Sequence, residues 1–213
     1  MKKSIKLLFI LVALVGFQQS AQRSFAMGLD IKVEPSFSSN MNRSLTLKEA
    51  IEIAQREALR WNKDAMLFFG LSVDRDESPT GMDGRRKHWN IQFGIPGKTD
   101  LYLVTIRDAK VWKTTHLPNE LESMPEKYFI PSFEVFKYDS PELLNKGLKI
   151  TNIYPGDIFA KGYHFGFTKS TEKNMPLVMI IGWDKSRKSM IYLLFNAITG
   201  ELEEEFEREQ YKN

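Results

Sequence analysis

The sequence predicts an α+β fold made of two similar units, each a helix packed on a small antiparallel sheet. Three observations lead there. Residues 46–62 carry a capped helical period. The segments after them alternate as strands between turn-rich loops. The same order of elements then recurs in the second half of the chain.

Taken in order, Thr46 and Glu49 form a capping box, in which hydroxyl and carboxylate each satisfy a backbone N–H that the helix leaves unbonded. Leu47, Ala50, Ile51, Ala54, Ala58 and Trp61 follow at helical spacing. Leu67–Val73 is apolar and β-rich, with Leu71 and Val73 on one face. A polar loop with Pro79, Gly81 and Gly84 leads to Trp89, Ile91 and Phe93, which alternate with polar or small neighbours. Beyond Pro96-Gly97, Tyr102, Val104 and Ile106 share a face of a third strand. Residues 117–138 hold Pro118, Pro125 and Pro131 among aromatics and are expected to be a linker with a short strand at 133–138.

The pattern then repeats. Ser140-Pro141-Glu142 reads as an N-cap with proline at the first helical position, leading into Leu143, Leu144, Leu148 and Ile150. Strands are expected at 163–168, 177–183 and 190–197. Thr46 stands 23 positions before Phe69, and Ser140 stands 23 before Tyr163. The strands there read FFGLSV and YHFGFT. The expected organisation is therefore a targeting segment at 1–26, a flexible lead-in at 27–43, unit 1 at 44–116, a linker at 117–138, and unit 2 with an acidic tail at 139–213.

The targeting segment has three parts in the order a secretory signal peptide requires: Lys2, Lys3 and Lys6, then the apolar run Leu7–Phe17, then Ser24-Phe25-Ala26 with small residues at the cut. As a helix the run would span about 16 Å, against about 30 Å for a bilayer core. That, with Gln18, Gln19 and Ser20 after it, favours a cleaved signal over an uncleaved anchor. Export to a periplasmic or extracellular location is expected, with no membrane span after cleavage.

Removing residues 1–26 also removes four of the 30 basic residues and none of the 27 acidic ones. The remaining chain is nearly neutral, so its charge gives no reason to expect nucleic acid as a partner. With no cysteine, disulfides, thiolate metal sites, a cysteine nucleophile and a lipidated cysteine are all excluded.

The motifs that carry chemistry are mostly incomplete. His88, His116 and His164 lack a second histidine or an acid at zinc-binding helical spacing. Asp74-x-Asp76 opens like a calcium loop, but Pro79 and Arg85 stand where glycine and the bidentate glutamate belong. Ser170-x-x-Lys173 falls in a predicted hairpin turn, and Gly70-Leu71-Ser72-Val73-Asp74 lacks the second glycine of a nucleophile elbow. The clusters Arg85-Arg86-Lys87 and Lys185-Ser186-Arg187-Lys188 read as solvated turns, with a patch for an anionic partner as the alternative. Residues 201–209 (ELEEEFERE) read as a solvated tail. The reading is of a non-enzyme with no catalytic, cofactor-binding or metal-ligating residues and no cofactor.

Leu47, Glu49-Ala50-Ile51 and Ile53-Ala54 in the first helix, with Asn196-Ala197-Ile198-Thr199-Gly200-Glu201-Leu202 closing the second unit, resemble the PepSY family, small domains of peptidase propeptides and exported bacterial proteins. The resemblance covers 44–113 and 139–206. It departs where the first unit ends Asp108-Ala109-Lys110-Val111 without Thr-Gly, and where the second helix lacks Glu-Ala-Ile. It implies a helix across a small antiparallel sheet in each unit, and a non-catalytic role inhibiting or moderating peptidases outside the cytoplasm. The expected partner is thus an envelope or secreted protein, a peptidase among the candidates. Two alternatives compete. One is a small-ligand binder with a cystatin-like pocket under a helix, which requires a cavity of about 300 Å³ or more. The other is an enzyme, which requires titratable side chains converging in one cleft.

Overall fold

A computed structural model describes residues 43–74 and 81–210. The expected signal peptide (1–26) and all of the lead-in but Arg43 lie outside the described residues, as do Asp76 and Pro79 of the polar loop. In chain order the main elements are α1 (Leu47–Trp61), β1 (Met66–Ser72), β2 (His88–Gly94), β3 (Leu101–Arg107), β4 (Lys110–Leu117), α2 (Ser140–Ile150), β5 (His164–Ser170), β6 (Met175–Trp183), β7 (Ser189–Asn196) and β8 (Leu202–Glu209). All eight strands belong to one antiparallel sheet, ordered β4-β3-β2-β1-β5-β6-β7-β8.

The expectation of two units, each with its own small sheet, is therefore overturned. The first strand of each half, β1 and β5, is not an edge. The two pair with each other, Gly70 opposite Phe167 and Leu71 opposite Gly166. Glycine on each strand makes the seam fit, because a Cβ on Gly70 would lie 2.3 Å from the Phe167 ring. Joining the halves this way satisfies backbone groups that two separate sheets would leave open.

The helix α1 forms as its sequence dictates. Thr46 accepts from the Glu49 N–H, and Glu49 reaches back to the Thr46 N–H. Leu47, Ala50, Ile51, Ala54 and Ala58 face the sheet and are buried. Trp61 ends the helix stacked on Tyr102 of β3, with ring centroids 4.7 Å apart. Under α1 lie Trp89, Ile91, Phe93, Val104 and Ile106, all fully buried as the strand alternation requires.

The helix α2 is capped one residue earlier than its sequence suggests. Asp139 is the N-cap, Ser140 is the first helical residue, and Glu142 closes a second capping box. The displaced serine has another task. Its Oγ accepts from Leu47 N–H of α1 (2.9 Å) and donates to the Gly84 carbonyl (2.7 Å). The Asp139 carboxylate likewise accepts from Lys48 N–H of α1 (3.0 Å) as well as from Ser140 N–H (2.7 Å). The two helix N-termini thus meet at one carboxylate, which offsets the positive ends of both helix dipoles. Gly147 lets α2 approach the sheet closely, since a Cβ there would lie 2.9 Å from Leu193 Cδ1.

Residues 117–138 are not a loose linker. Phe129, Ile130 and Phe136 are buried, and Ile130 bridges to Leu67 through two backbone hydrogen bonds. Gln55 Oε1 of α1 accepts from Phe133 N–H, while Lys137 and Tyr138 N–H groups donate to the Ala197 carbonyl at the end of β7. The strand expected at 133–138 is instead a short 3-10 turn, Phe133–Val135. The segment straps both halves to one core.

Candidate functional site

Four side chains that no sequence motif grouped converge where β1 and β5 diverge. Arg86, fully buried, donates to the carbonyls of Lys161 (2.8 Å) and Val73 (3.2 Å) and lies 3.6 Å from the Asp74 carboxylate. It also faces His164 Nε2 at 3.4 Å. The other ring nitrogen of His164, Nδ1, meets Ser72 Oγ at 3.0 Å, and Ser72 Oγ accepts from Phe165 N–H at 3.1 Å. The reading of Arg85-Arg86-Lys87 as a solvated turn fails at Arg86. That guanidinium is drawn inside because only a multi-donor group can bond carbonyls of both halves at once.

The chemistry of this cluster is that of a clasp. Guanidinium only donates, so His164 Nε2 is the acceptor and the imidazole proton sits on Nδ1, directed at Ser72. A serine nucleophile needs the opposite polarity, with imidazole taking the hydroxyl proton. Burial, and then the adjacent Arg86 charge, push His164 down to about 4, which keeps the ring neutral near pH 7. Ser72, Arg86 and His164 are all buried, so the cluster presents no open cleft to a substrate.

The other sequence candidates stay apart. His116 pairs with Asp100 at 3.0 Å on the surface, and the hydrogen bond from His116 holds the Asp100 carboxyl below its usual range. His88 sits at the start of β2. Lys173 pairs with Glu203 rather than approaching Ser170, whose Oγ accepts from Lys173 N–H within the β5–β6 turn. Among the described residues no three His, Asp or Glu side chains converge as metal ligands.

An open groove of about 610 Å³ lies where the C-terminal end of α2 meets the β6–β7 turn and the edge of the sheet. Ile150, Tyr154 and Ile191 supply apolar wall, Asp184, Glu205 and Glu207 supply carboxylates, and Lys185 stands among them as a single ammonium group. Glu205 and Glu207 share the helix-bearing face with Leu193 and Ile191, their cross-strand partners. Burial alone would raise Asp184. Against it, hydrogen bonds from the Ser186 hydroxyl and the N–H groups of Ser189, Ser186 and Lys188 hold it at about 2. The stretch read as a solvated tail is therefore the edge strand β8 and one wall of this groove. Its faint signal in the sequence was Leu202 and Phe206 among the charges; in the fold Phe206 stacks on Tyr192 of β7 (centroids 4.7 Å).

No helix among the described residues is long and apolar enough to cross a membrane. No protein-family model and no curated protein matches the chain. Among solved structures, the chain is similar to a presumed lipoprotein from Clostridium difficile 630, at 12% sequence identity and a TM-score of 0.48, over 73% of this chain and 90% of that one. A likeness this distant carries no function across.

Proposed function

We propose that this is an exported, non-catalytic binding protein of the PepSY kind, whose partner is an envelope or secreted protein, with a peptidase among the candidates. The observation that carries the reading is the groove beside α2, bordered by the edge strand β8. An edge strand can accept an extended segment through main-chain hydrogen bonds, while the groove's carboxylates and isoleucines select a segment that mixes basic and apolar side chains. Export is supported by the order of charged, apolar and small residues in 1–26. The family reading is supported by the closing turn: Asn196 Oδ1 accepts from Ile198 and Thr199 N–H groups, and Gly200 takes a positive φ of 70°.

The test is cross-linked capture from an envelope and culture-fluid extract, with Glu205→Arg/Glu207→Arg as the groove variant. The expected result is one dominant protein held by the native chain and lost by the variant. Capture of nothing, with secreted peptidase activity unchanged, would remove the reading. The cystatin-like alternative requires a cavity under a helix, whereas this groove is open beside the end of α2 and Leu143, Leu144, Leu193 and Phe195 are packed in the core. Retention of a low-molecular-weight compound by the native protein, without any protein, would nevertheless select small-ligand binding.

A further inference from the structure

The loop that enters β5 presents apolar side chains to water. Gly156 and Gly162 exchange two backbone hydrogen bonds of 2.8 Å and close the loop at its neck. At its tip Ile158 is 84% exposed and Phe159 50%. Phe159 packs edge-on against Trp183 (centroids 6.2 Å), and Tyr154 bridges to the Trp183 backbone, so the loop is held beside the β6–β7 turn. That turn carries Lys185 and Lys188, both exposed, and Lys161 stands two residues beyond Phe159. Across residues 156–162 and 184–189 the cations Lys161, Lys185, Arg187 and Lys188 outnumber the carboxylates Asp157 and Asp184. Asp157 Oδ1 accepts from Ile158 N–H, and Asp184 from N–H groups of its own turn, bonds that fix these carboxylates without cancelling their charge.

An apolar tip ringed by lysines is the arrangement that enters a lipid interface: aromatic and aliphatic side chains sink to the acyl boundary while ammonium groups stay among headgroup phosphates. We infer that this end of the sheet docks on an anionic phospholipid surface, with Ile158 and Phe159 inserted and Lys161, Lys185 and Lys188 over the headgroups. The inference does not depend on the protein partner proposed above. Its apolar contacts, Ile158 and Phe159, lie outside the groove, whereas Lys185 lines it as well, so the loop variant is the one that separates the two readings.

The test is co-sedimentation of the protein recovered from the exported fraction with vesicles of phosphatidylglycerol and phosphatidylcholine in equal parts, against phosphatidylcholine alone. The native chain is expected to sediment with the anionic vesicles and to be released as salt rises to about 500 mM. Ile158→Asp/Phe159→Ser should lose at least about tenfold in affinity. Lys185→Glu/Lys188→Glu should lose about fivefold per lysine on anionic vesicles only. Both variants change exposed residues, and an unchanged thermal midpoint shows that each is folded. Absence of sedimentation with either vesicle, or full retention by the folded loop variant, overturns the inference. So does a loop variant that loses protein capture while the native chain never binds vesicles, since the tip would then belong to a protein interface.

Discussion

The two halves of the sheet follow one order of elements and reach different chemistry. In the first half, β2 and β3 alternate over most of their length, with Gln92 and Leu101 as buried exceptions. Trp89, Ile91, Phe93, Val104 and Ile106 lie under α1, while Asn90 and Thr105 pair on the far face. In the second half both faces are apolar. Val178, Ile180, Leu193 and Phe195 belong to the main core, and Met179, Ile181, Tyr192 and Leu194 form a second buried layer behind it. The helices differ in the same sense. α1 has 15 residues and a wide alanine-rich face, whereas α2 has 11 and needs Gly147 to reach the sheet. The edges differ in charge, with lysines and a histidine on β4 and five glutamates against one arginine on β8. What the contrast teaches is that the halves are not interchangeable modules. The first supplies a conventional one-sided layer, the second supplies the groove, and the bonds between them belong to neither alone.

The largest expected effect comes from cutting those shared bonds. Arg86→Met should destabilise by about 3–5 kcal/mol, because it leaves buried carbonyls unbonded, while Arg85→Met, which loses only a surface pair with Glu49, should cost less than about 1 kcal/mol. Urea unfolding of both variants checks the contrast. The same junction sets the acid response. Between about pH 6.5 and 4 the unfolded chain binds a proton at His164 and the folded chain does not, so stability present above this window falls by about 3 kcal/mol as pH drops through it. His164→Asn should remove that slope, read as the shift in urea midpoint between about pH 7 and about pH 4.5.

Next in size is the cap. Asp139→Ala withdraws an acceptor from both helices and should cost about 2 kcal/mol, against about 1 kcal/mol for Thr46→Ala, which serves α1 alone. Equal losses in thermal melts would mean that Asp139 acts on α2 only. The smallest effect belongs to Gly147→Ala. A gain of about 1 kcal/mol in helix propensity is offset by the shift forced on Leu193, so the net change should stay below about 1 kcal/mol. A clear stabilisation on unfolding would show that the close approach of α2 is unimportant.

Much of the fold was legible because it is written locally. The Thr46–Glu49 box, the alternation of β2 and β3 and the apolar runs of β6 and β7 each signal their own element. The two edge strands were not. KVWKTTHL and LEEEFERE carry charges where inner strands carry valine and isoleucine, as edges exposed to water tend to do. The turn before β4 was hidden too, because Asp108 and Ala109 adopt positive φ (49° and 62°) with no glycine to announce it. The linker was misread because its prolines mask three buried side chains, Phe129, Ile130 and Phe136. The clasp was beyond reach from spacing alone. Ser72, Asp74, Arg86 and His164 meet only because β1 pairs with β5, a contact between strands more than 90 positions apart, and each residue on its own fits an ordinary strand or turn.

The shared cap and the β1–β5 pair also bear on how fast the chain assembles. Each half is built of neighbouring hairpins, whose short connections close quickly, whereas Leu47 must find Ser140, and Gly70 must find Phe167, across a long intervening stretch. The hairpins are expected to form early and the junction late. Substitutions at Arg86 or Asp139 should therefore hasten unfolding far more than they slow folding, and the lifetime of the native state would rest on that one line of contacts.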